Sequence, residues 1–209
     1  MKLTVLKEQL NESIQHVSKA ITYRTTIPIL NGIKIDAQGQ GVTLTASDTD
    51  ISIQSFIPLE EEEKRIVQIH TPGSVVLPAK FFVEIIRKLP SEEIEIEVRE
   101  NHLTLIKSGT SEIQLVGLDP DEYPLLPRIE DNLVFTIPSQ VLKTMIRQTV
   151  FAVSTNESTP ILTGVLFQLK NGNLKLIGCD RHRLAVREVD VEHPPELEFD
   201  NIVKFQFRR

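Results

Sequence analysis

The stretch Thr26-Ile27-Pro28-Ile29-Leu30-Asn31-Gly32-Ile33 returns as Thr159-Pro160-Ile161-Leu162-Thr163-Gly164-Val165, with Pro28 and Pro160 separated by 132 residues. The same step carries Leu3 to Phe135, Leu10 to Leu142, Ile14 to Ile146, Ile21 to Val153, Leu44 to Leu176 and Asp48 to Asp180. A gap-free step that preserves apolar and turn positions together marks a duplicated unit, so both copies must follow one element order. The expected organisation is a first domain over residues 1–128 and a second over 129–209. A second copy of equal length would run to about residue 264, so the second domain is expected to be truncated.

Within the first copy, Lys2–Leu6 alternates as a short strand. Leu10, Ile14, Val17 and Ile21 then recur at helical spacing from Lys7 to Ala20. Pro28 interrupts regular helix after a loop at 23–26. Gly32–Asp36 and Val42–Thr45 form a hairpin, and Asp48–Phe56 adds a strand with Ile51, Ile53 and Phe56 on one face. Glu60–Glu63 reads as a solvated acidic loop.

The order then restarts. Val75–Pro78 is a strand and Ala79–Leu89 a helix whose start suits Pro78, because the first turn has no use for the missing backbone donor. Strands follow at 94–98, 102–106 and 111–116, and 117–129 is a turn-rich linker. Pro78, Phe81, Phe82, Ile85 and Ile86 match Pro138, Val141, Leu142, Met145 and Ile146 at a step of 60, which marks a half-domain repeat. The second copy is expected as a strand at 133–137, a helix from Ser139 to Ala152, a loop at 155–159, and strands at 165–168, 173–177 and 184–189. The strand-helix pattern should begin again after Pro194-Pro195.

Charge is distributed unevenly. Residues 1–24, 79–90 and 139–150 hold nine Lys or Arg against three Glu, although the chain carries a net charge of −6. Helices packed side by side over a sheet would then present a basic face and leave an acidic shell. Such a face without base-reading aromatics favours phosphate contact over sequence recognition.

Other chemistries find less support. His182 stands between two arginines, but no nucleophile or second carboxylate is placed beside it by a recognisable motif. The five histidines and the single Cys179 show no metal-ligand spacing, and one cysteine permits no intrachain disulfide. Asp48, Asp50, Asp119, Asp121 and Glu122 could pair around a cation. The duplication of Asp48 as Asp180, each ahead of a strand, argues for turns. No phosphate-loop or dinucleotide pattern is present, and no cofactor is expected. Without a leader or a long apolar run, the expected location is the cytoplasm.

Four segments carry a family resemblance: Lys2-Leu3-Thr4-Val5, Arg24-Thr25-Thr26-Ile27-Pro28-Ile29-Leu30, Leu77-Pro78-Ala79-Lys80-Phe81-Phe82 and Asp180-Arg181-His182-Arg183-Leu184-Ala185. Together they resemble the bacterial replicative sliding clamps, the beta subunits of DNA polymerase III, from Met1 to about Val203 and over about half of a usual member. The resemblance implies an α+β DNA-clamp fold of duplicated strand-helix-sheet units, with helices on one face of a curved antiparallel sheet. Members have three like domains and close as a homodimeric ring on duplex DNA, so a third domain is expected to be absent here and ring closure by this chain is not expected. The implied role is non-catalytic: a processivity factor for the replicative polymerase, whose partners include the clamp loader, repair polymerases and mismatch repair factors.

By the same resemblance, Arg24 matches a residue that touches the DNA backbone, and Thr155 and Asn156 match positions that approach it. Lys7, Lys80 and Lys143 are added from their places on the expected helices. Leu162, Cys179, His182, Arg183 and Leu184 match a pocket that takes short peptide motifs. The family often has an aromatic pair where this chain has Pro160-Ile161, and a small residue where it has Arg181. Two further readings are a clamp fragment without function or with a regulatory one, and a metal-dependent nuclease built on the acidic loops.

Overall fold

Strand β1 (Lys2–Leu6) buries Leu3 and Val5 and leads directly into helix α1 (Lys7–Val17). Leu10, Ile14 and Val17 form the buried stripe of α1, after which the helix tightens to a 3-10 turn at Ser18–Ala20. A second 3-10 turn at Pro28–Asn31 opens strand β2 (Gly32–Gln38), which pairs with β3 (Gly41–Ser47), itself paired with β4 (Ser52–Pro58). The computed structural model describes residues 1–22, 25–126, 134–192, 194 and 196–205. The chain divides into two compact units, Met1–Pro127 and Arg128–Arg209.

The acidic run is a small ribbon, β5 (Glu60–Glu61) and β6 (Lys64–Arg65), with left-handed backbone at Glu62 and Glu63. Then come β7 (Val67–Thr71), β8 (Gly73–Pro78), α2 (Ala79–Lys88), β9 (Glu93–Val98), β10 (Leu103–Ser108) and β11 (Ser111–Val116). All pairs are antiparallel, in two sheets of order β11-β10-β9-β1-β7 and β4-β3-β2-β8. Both sheets and both helices contribute to one apolar core, in which Phe82 and Ile86 of α2 meet Leu10 and Ile14 of α1 among fully buried strand residues.

Three expectations change. The acidic run folds as a hairpin because Lys64 and Arg65 lie opposite Glu61 and Glu60 and offset their charge. Strand β7 was not foreseen; it alternates Val67 and Ile69 with Gln68 and His70 over only five residues and is fixed by its pairing with β1. On β4 the inward residues are Ile53, Ser55 and Ile57, while Phe56 is 55% exposed, as two-residue alternation requires.

The described part of the turn-rich segment after β11 packs onto the first unit in a small cluster of its own. Leu118 bridges to Val76, and Tyr123 is buried against Ile29, Leu30 and Val76 after a 3-10 turn at Pro120–Glu122. Lys34 donates to the Pro120 carbonyl at 3.1 Å, its ammonium 6.0 Å from the Tyr123 ring centre. Burial pushes the Tyr123 phenol up to about 12, with the Ser47 backbone acting in the opposite direction. Unfolded tyrosine ionises at about 10, so the folded state holds the proton longer. Stability is therefore complete below about pH 10 and is lost as pH rises through about 12. Thermal melts should fall across that window, and Tyr123→Phe should remove this component; an identical fall in the variant contradicts the assignment.

The second unit repeats the first. Helix α3 (Ser139–Thr149) and its 3-10 extension Val150–Ala152 stand 132 residues after α1 and its extension, and the 3-10 turn Pro160–Thr163 likewise follows the earlier one. Strands β12 (Val165–Lys170), β13 (Asn173–Cys179) and β14 (Leu184–Asp190) follow, and β15 (Phe199–Val203) pairs with β12 as β8 pairs with β2. The sheet order is β14-β13-β12-β15, with Met145, Val165, Leu169, Leu174 and Leu176 buried beneath α3.

The described part of the expected strand at 133–137, residues 134–137, is not a strand, and residue 133 lies outside the described residues. Its counterpart β1 is held between β7 and β9. No strand pairs with 134–137 among the described residues, and Phe135 instead packs against Phe199 with ring centres 5.9 Å apart.

Candidate functional site

Several strand lysines are neutralised by the fold, whereas some helical cations are left open. Lys2 pairs with Glu95 and Glu97, Lys107 with Glu112, Lys170 with Asp200 and Lys175 with Glu188, all as cross-strand neighbours. By contrast, Lys80 at the start of α2 and Lys143 and Arg147 on α3 are exposed and make no ion pair among the described residues. Helix α3 contains no carboxylate, so nothing on the helix itself can neutralise its exposed face of Gln140, Lys143, Thr144 and Arg147. From β14, Arg187 lies beside Gln140 and Thr144 along a groove of about 330 Å³. The sequence reading missed Arg187 because nothing in a strand's alternation signals that a neighbouring helix stands next to it.

The predicted nucleic-acid residues divide. Arg24 lies outside the described residues. Lys80 is exposed, its ammonium 6.0 Å from the Phe81 ring centre, and Lys143 is exposed on α3. Lys7 is placed otherwise than on an open helix face: its ammonium donates to the Leu89 carbonyl at the end of α2. There it satisfies an orphan carbonyl and complements the negative helix terminus. On α2, Arg87 and Lys88 both pair with Glu84.

Thr155 and Asn156 lie in a cleft of about 290 Å³, together with Leu162, His182 and Arg183. Residues expected to serve two different ligands are thus brought to one place. The loop that carries Thr155 is built from short-range bonds. The Asn156 amide donates to Ser154 Oγ, the Asn156 side-chain oxygen accepts from Ser158, and the Ser154 amide donates to the Leu162 carbonyl at 2.8 Å. The facing loop is organised by Asp180. Its Oδ1 accepts from the amides of His182 and Arg183, both at 3.0 Å, and Oδ2 accepts from Arg183 Nε at 2.8 Å. The His182 amide above all, with the Arg183 amide and guanidinium, holds the Asp180 carboxyl below the ordinary aspartate range.

Arg183 also lies over Phe151, 5.9 Å from the ring centre. Val153 and Leu162 supply the apolar part of the cleft. Cys179 and Leu184 oppose each other in register on β13 and β14 and are not among the residues lining it; Cys179 is half-buried and Leu184 is 66% exposed. The expected pocket is therefore narrower than the matched set of five. Carboxylates once weighed as cation ligands act in turns: Asp48 accepts from the amides of Asp50 and Ile51, and Asp119 from that of Asp121.

Comparison with known proteins agrees with this architecture. Residues 1–127 match the family model for the DNA polymerase III beta subunit, N-terminal domain, and residues 136–205 the model for its central domain. The chain is similar to a beta sliding clamp of Halalkalibacterium halodurans, 55% identical over 193 residues, which cover 92% of this chain and 51% of that protein. It is likewise similar to the solved DNA polymerase sliding clamp from Bacillus subtilis, with a TM-score of 0.93 and 52% identity over 98% of this chain and 54% of that one. A DNA polymerase III beta chain from Streptococcus pneumoniae gives a TM-score of 0.89 at 33% identity, over 97% of this chain and 54% of that one. The chain spans about half the length of the relatives it matches.

Proposed function

This chain belongs to the DNA polymerase III beta-subunit family, and on that footing we propose that it acts as sliding-clamp substance: a processivity element that rides on duplex DNA without reading sequence and tethers the replicative polymerase through a peptide-binding cleft. The observation that supports the DNA half of this reading is the carboxylate-free cationic face of α3, without an ion pair among the described residues, set against Lys107, Lys170 and Lys175, which are already neutralised. Guanidinium and ammonium groups with no internal partner are available to phosphates, and phosphate contact carries no sequence information. Arg24, Lys80, Lys143, Thr155 and Asn156 are the proposed DNA contacts, with Arg147 and Arg187 added from the fold. Lys7 has a lesser part, since its ammonium already serves α2.

Leu162, His182 and Arg183 are proposed to receive the polymerase's peptide, with Cys179 and Leu184 as flanking strand residues. A mainly polar cleft with an apolar patch of Val153 and Leu162 suits a short extended segment. The clamp loader, repair polymerases and mismatch repair factors are proposed as further users of the same cleft, in the cytoplasm. Pairing of two subunits around DNA is proposed for the full-length family arrangement. The role needs no bond-making chemistry, and the chain is read as a non-catalytic accessory subunit.

The test is duplex binding by fluorescence anisotropy, with two labelled duplexes of unrelated sequence and equal length. Their affinities should agree within about twofold and fall steeply with salt. Lys143→Glu combined with Arg147→Glu should weaken both by about tenfold or more, since two phosphate attractions become repulsions. A strong preference for one sequence, or an unchanged affinity in the double variant, would overturn the reading.

A further inference from the structure

The two copies of the unit differ at one rim position in a way their shared fold does not require. Thr49 and Arg181 are duplication partners, and both hold left-handed backbone, with φ of 80° and 78°. Each follows an aspartate that accepts two amides of the same turn, Asp48 in the first unit and Asp180 in the second. The turn therefore dictates the backbone, and the side chain is free to vary. In the second unit that side chain reaches across the cleft: Arg181 Nη2 donates to Thr159 Oγ1 at 2.8 Å. The partner of Thr159 in the first copy is Ile27, which offers no side-chain acceptor. The turn sequence Thr49-Asp50-Ile51 has become Arg181-His182-Arg183, so the rim has gained cationic character in this copy alone.

The charge of Arg181 is not matched within the cleft. Asp180, the carboxylate among its described lining residues, already accepts three bonds from its own turn. Nearby Glu157 is paired with Lys204 at 2.8 Å. Arg181 makes no ion pair among the described residues, and its recorded partner is a neutral hydroxyl.

We propose that Arg181 is a specificity-determining strap of this cleft, which selects an extended peptide whose apolar side chain rests on Val153 and Leu162 and whose adjacent carboxylate takes the guanidinium from Thr159. The inference rests on the peptide-receptor reading of the cleft and adds the charge of the ligand. Exchange of a hydroxyl for a carboxylate gives a charge-assisted, two-pronged bond in place of a neutral one. A volume of about 290 Å³ accommodates a few side chains rather than a duplex, and Val153 and Leu162 offer one apolar contact amid polar groups, which suits a short peptide carrying both an apolar and a charged side chain.

Binding of two labelled probes tests this, Gly-Leu-Glu-Leu-Phe-Gly and its counterpart with Gln in place of Glu. The wild-type chain should bind the Glu peptide about threefold to fivefold more tightly, the range for a rim-exposed charge pair. Arg181→Gly should bring the ratio to about one, and Arg181→Lys, which keeps the charge but not the fork, should give a ratio between the two. Glycine suits the left-handed turn, so a lowered melting temperature is not expected in Arg181→Gly. Equal binding of the two peptides by the wild type, or a ratio that survives Arg181→Gly, would overturn the proposal while leaving the cleft a peptide receptor. Failure of the wild type to bind either peptide would overturn the receptor reading and the strap together. Loss of duplex affinity in Arg181→Gly with an unchanged peptide ratio would assign the arginine to phosphate and likewise refute the proposal.

Discussion

Phe82→Ala is expected to destabilise the first unit by about 3–5 kcal/mol, the largest effect of any single truncation considered for this chain. Phe82 has no exposed surface and stands where α2 meets the core shared by both sheets. Its neighbours are aliphatic residues of β-strands and of α1, held in place by sheet registers that cannot close around a void without breaking pairing. The cavity term should therefore add fully to the lost transfer energy. In chemical denaturation the variant should show an early transition for the first unit. The second unit has its own core around Met145 and Leu176, and its transition should stay where it is. A shift below about 1 kcal/mol would mean that α2 is not seated as described.

The second large effect concerns paired glycines. Gly32 and Gly164 are duplication partners with extended backbone, φ of −105° and −117°, so neither is needed for its torsions. Both are needed for space. A Cβ at Gly32 would stand 2.4 Å from Val76 Cγ1 and 3.1 Å from the Leu77 carbonyl oxygen; at Gly164 it would stand 2.6 Å from Ile202 Cγ2 and 2.9 Å from the Val203 oxygen. The adjacent strand, β8 or β15, causes the crowding in both copies. Val76 is fully buried and cannot swing aside, whereas Ile202 is 46% exposed. Gly32→Ala should thus cost about 2–3 kcal/mol and Gly164→Ala about 1 kcal/mol, by the usual scale of overpacking. Melting curves that rank the two in the opposite order would show that burial of the neighbour does not control the cost.

Much of this architecture was legible because a duplication tests each assignment twice. Helices α1 and α3 keep their step of 132 residues, as do β3 and β13, and β4 and β14. What escaped was structure set by partners rather than by pattern. Strand β7 alternates Val67, Gln68, Ile69 and His70 over only five residues, too short a run to stand out until β1 offers it an edge, while Val134, Phe135, Thr136 and Ile137 are strand-prone but find no strand beside them among the described residues. At the site, residue types pointed to Thr155, Asn156, Leu162, His182 and Arg183, but that they share one cleft is a property of the segment after α3 and the hairpin loop between β13 and β14 coming together in the fold. The bond from Arg181 to Thr159 could have been suspected by aligning the two copies, where Thr49 and Ile27 stand in their places.

Charge counts singled out the helical windows, yet the count alone could not tell a free lysine from a neutralised one. In the fold, Lys7 caps a helix, and Lys107, Lys170 and Lys175 pair with acids across their strands. Lys80 and Lys143 are left for a ligand. The central claim, that duplex DNA is met by cations without an ion pair among the described residues, such as Lys80 and Lys143, and not by the ion-paired strand lysines, rests on that division.

Lysine footprinting tests it most directly: the chain is modified with an amine-reactive acetylating reagent, with and without duplex DNA, and each lysine is quantified by mass spectrometry. The account predicts that DNA protects Lys80 and Lys143 while leaving Lys107, Lys170 and Lys175 at their DNA-free reactivity. Protection of the strand lysines, with Lys80 and Lys143 as reactive as before, would contradict it.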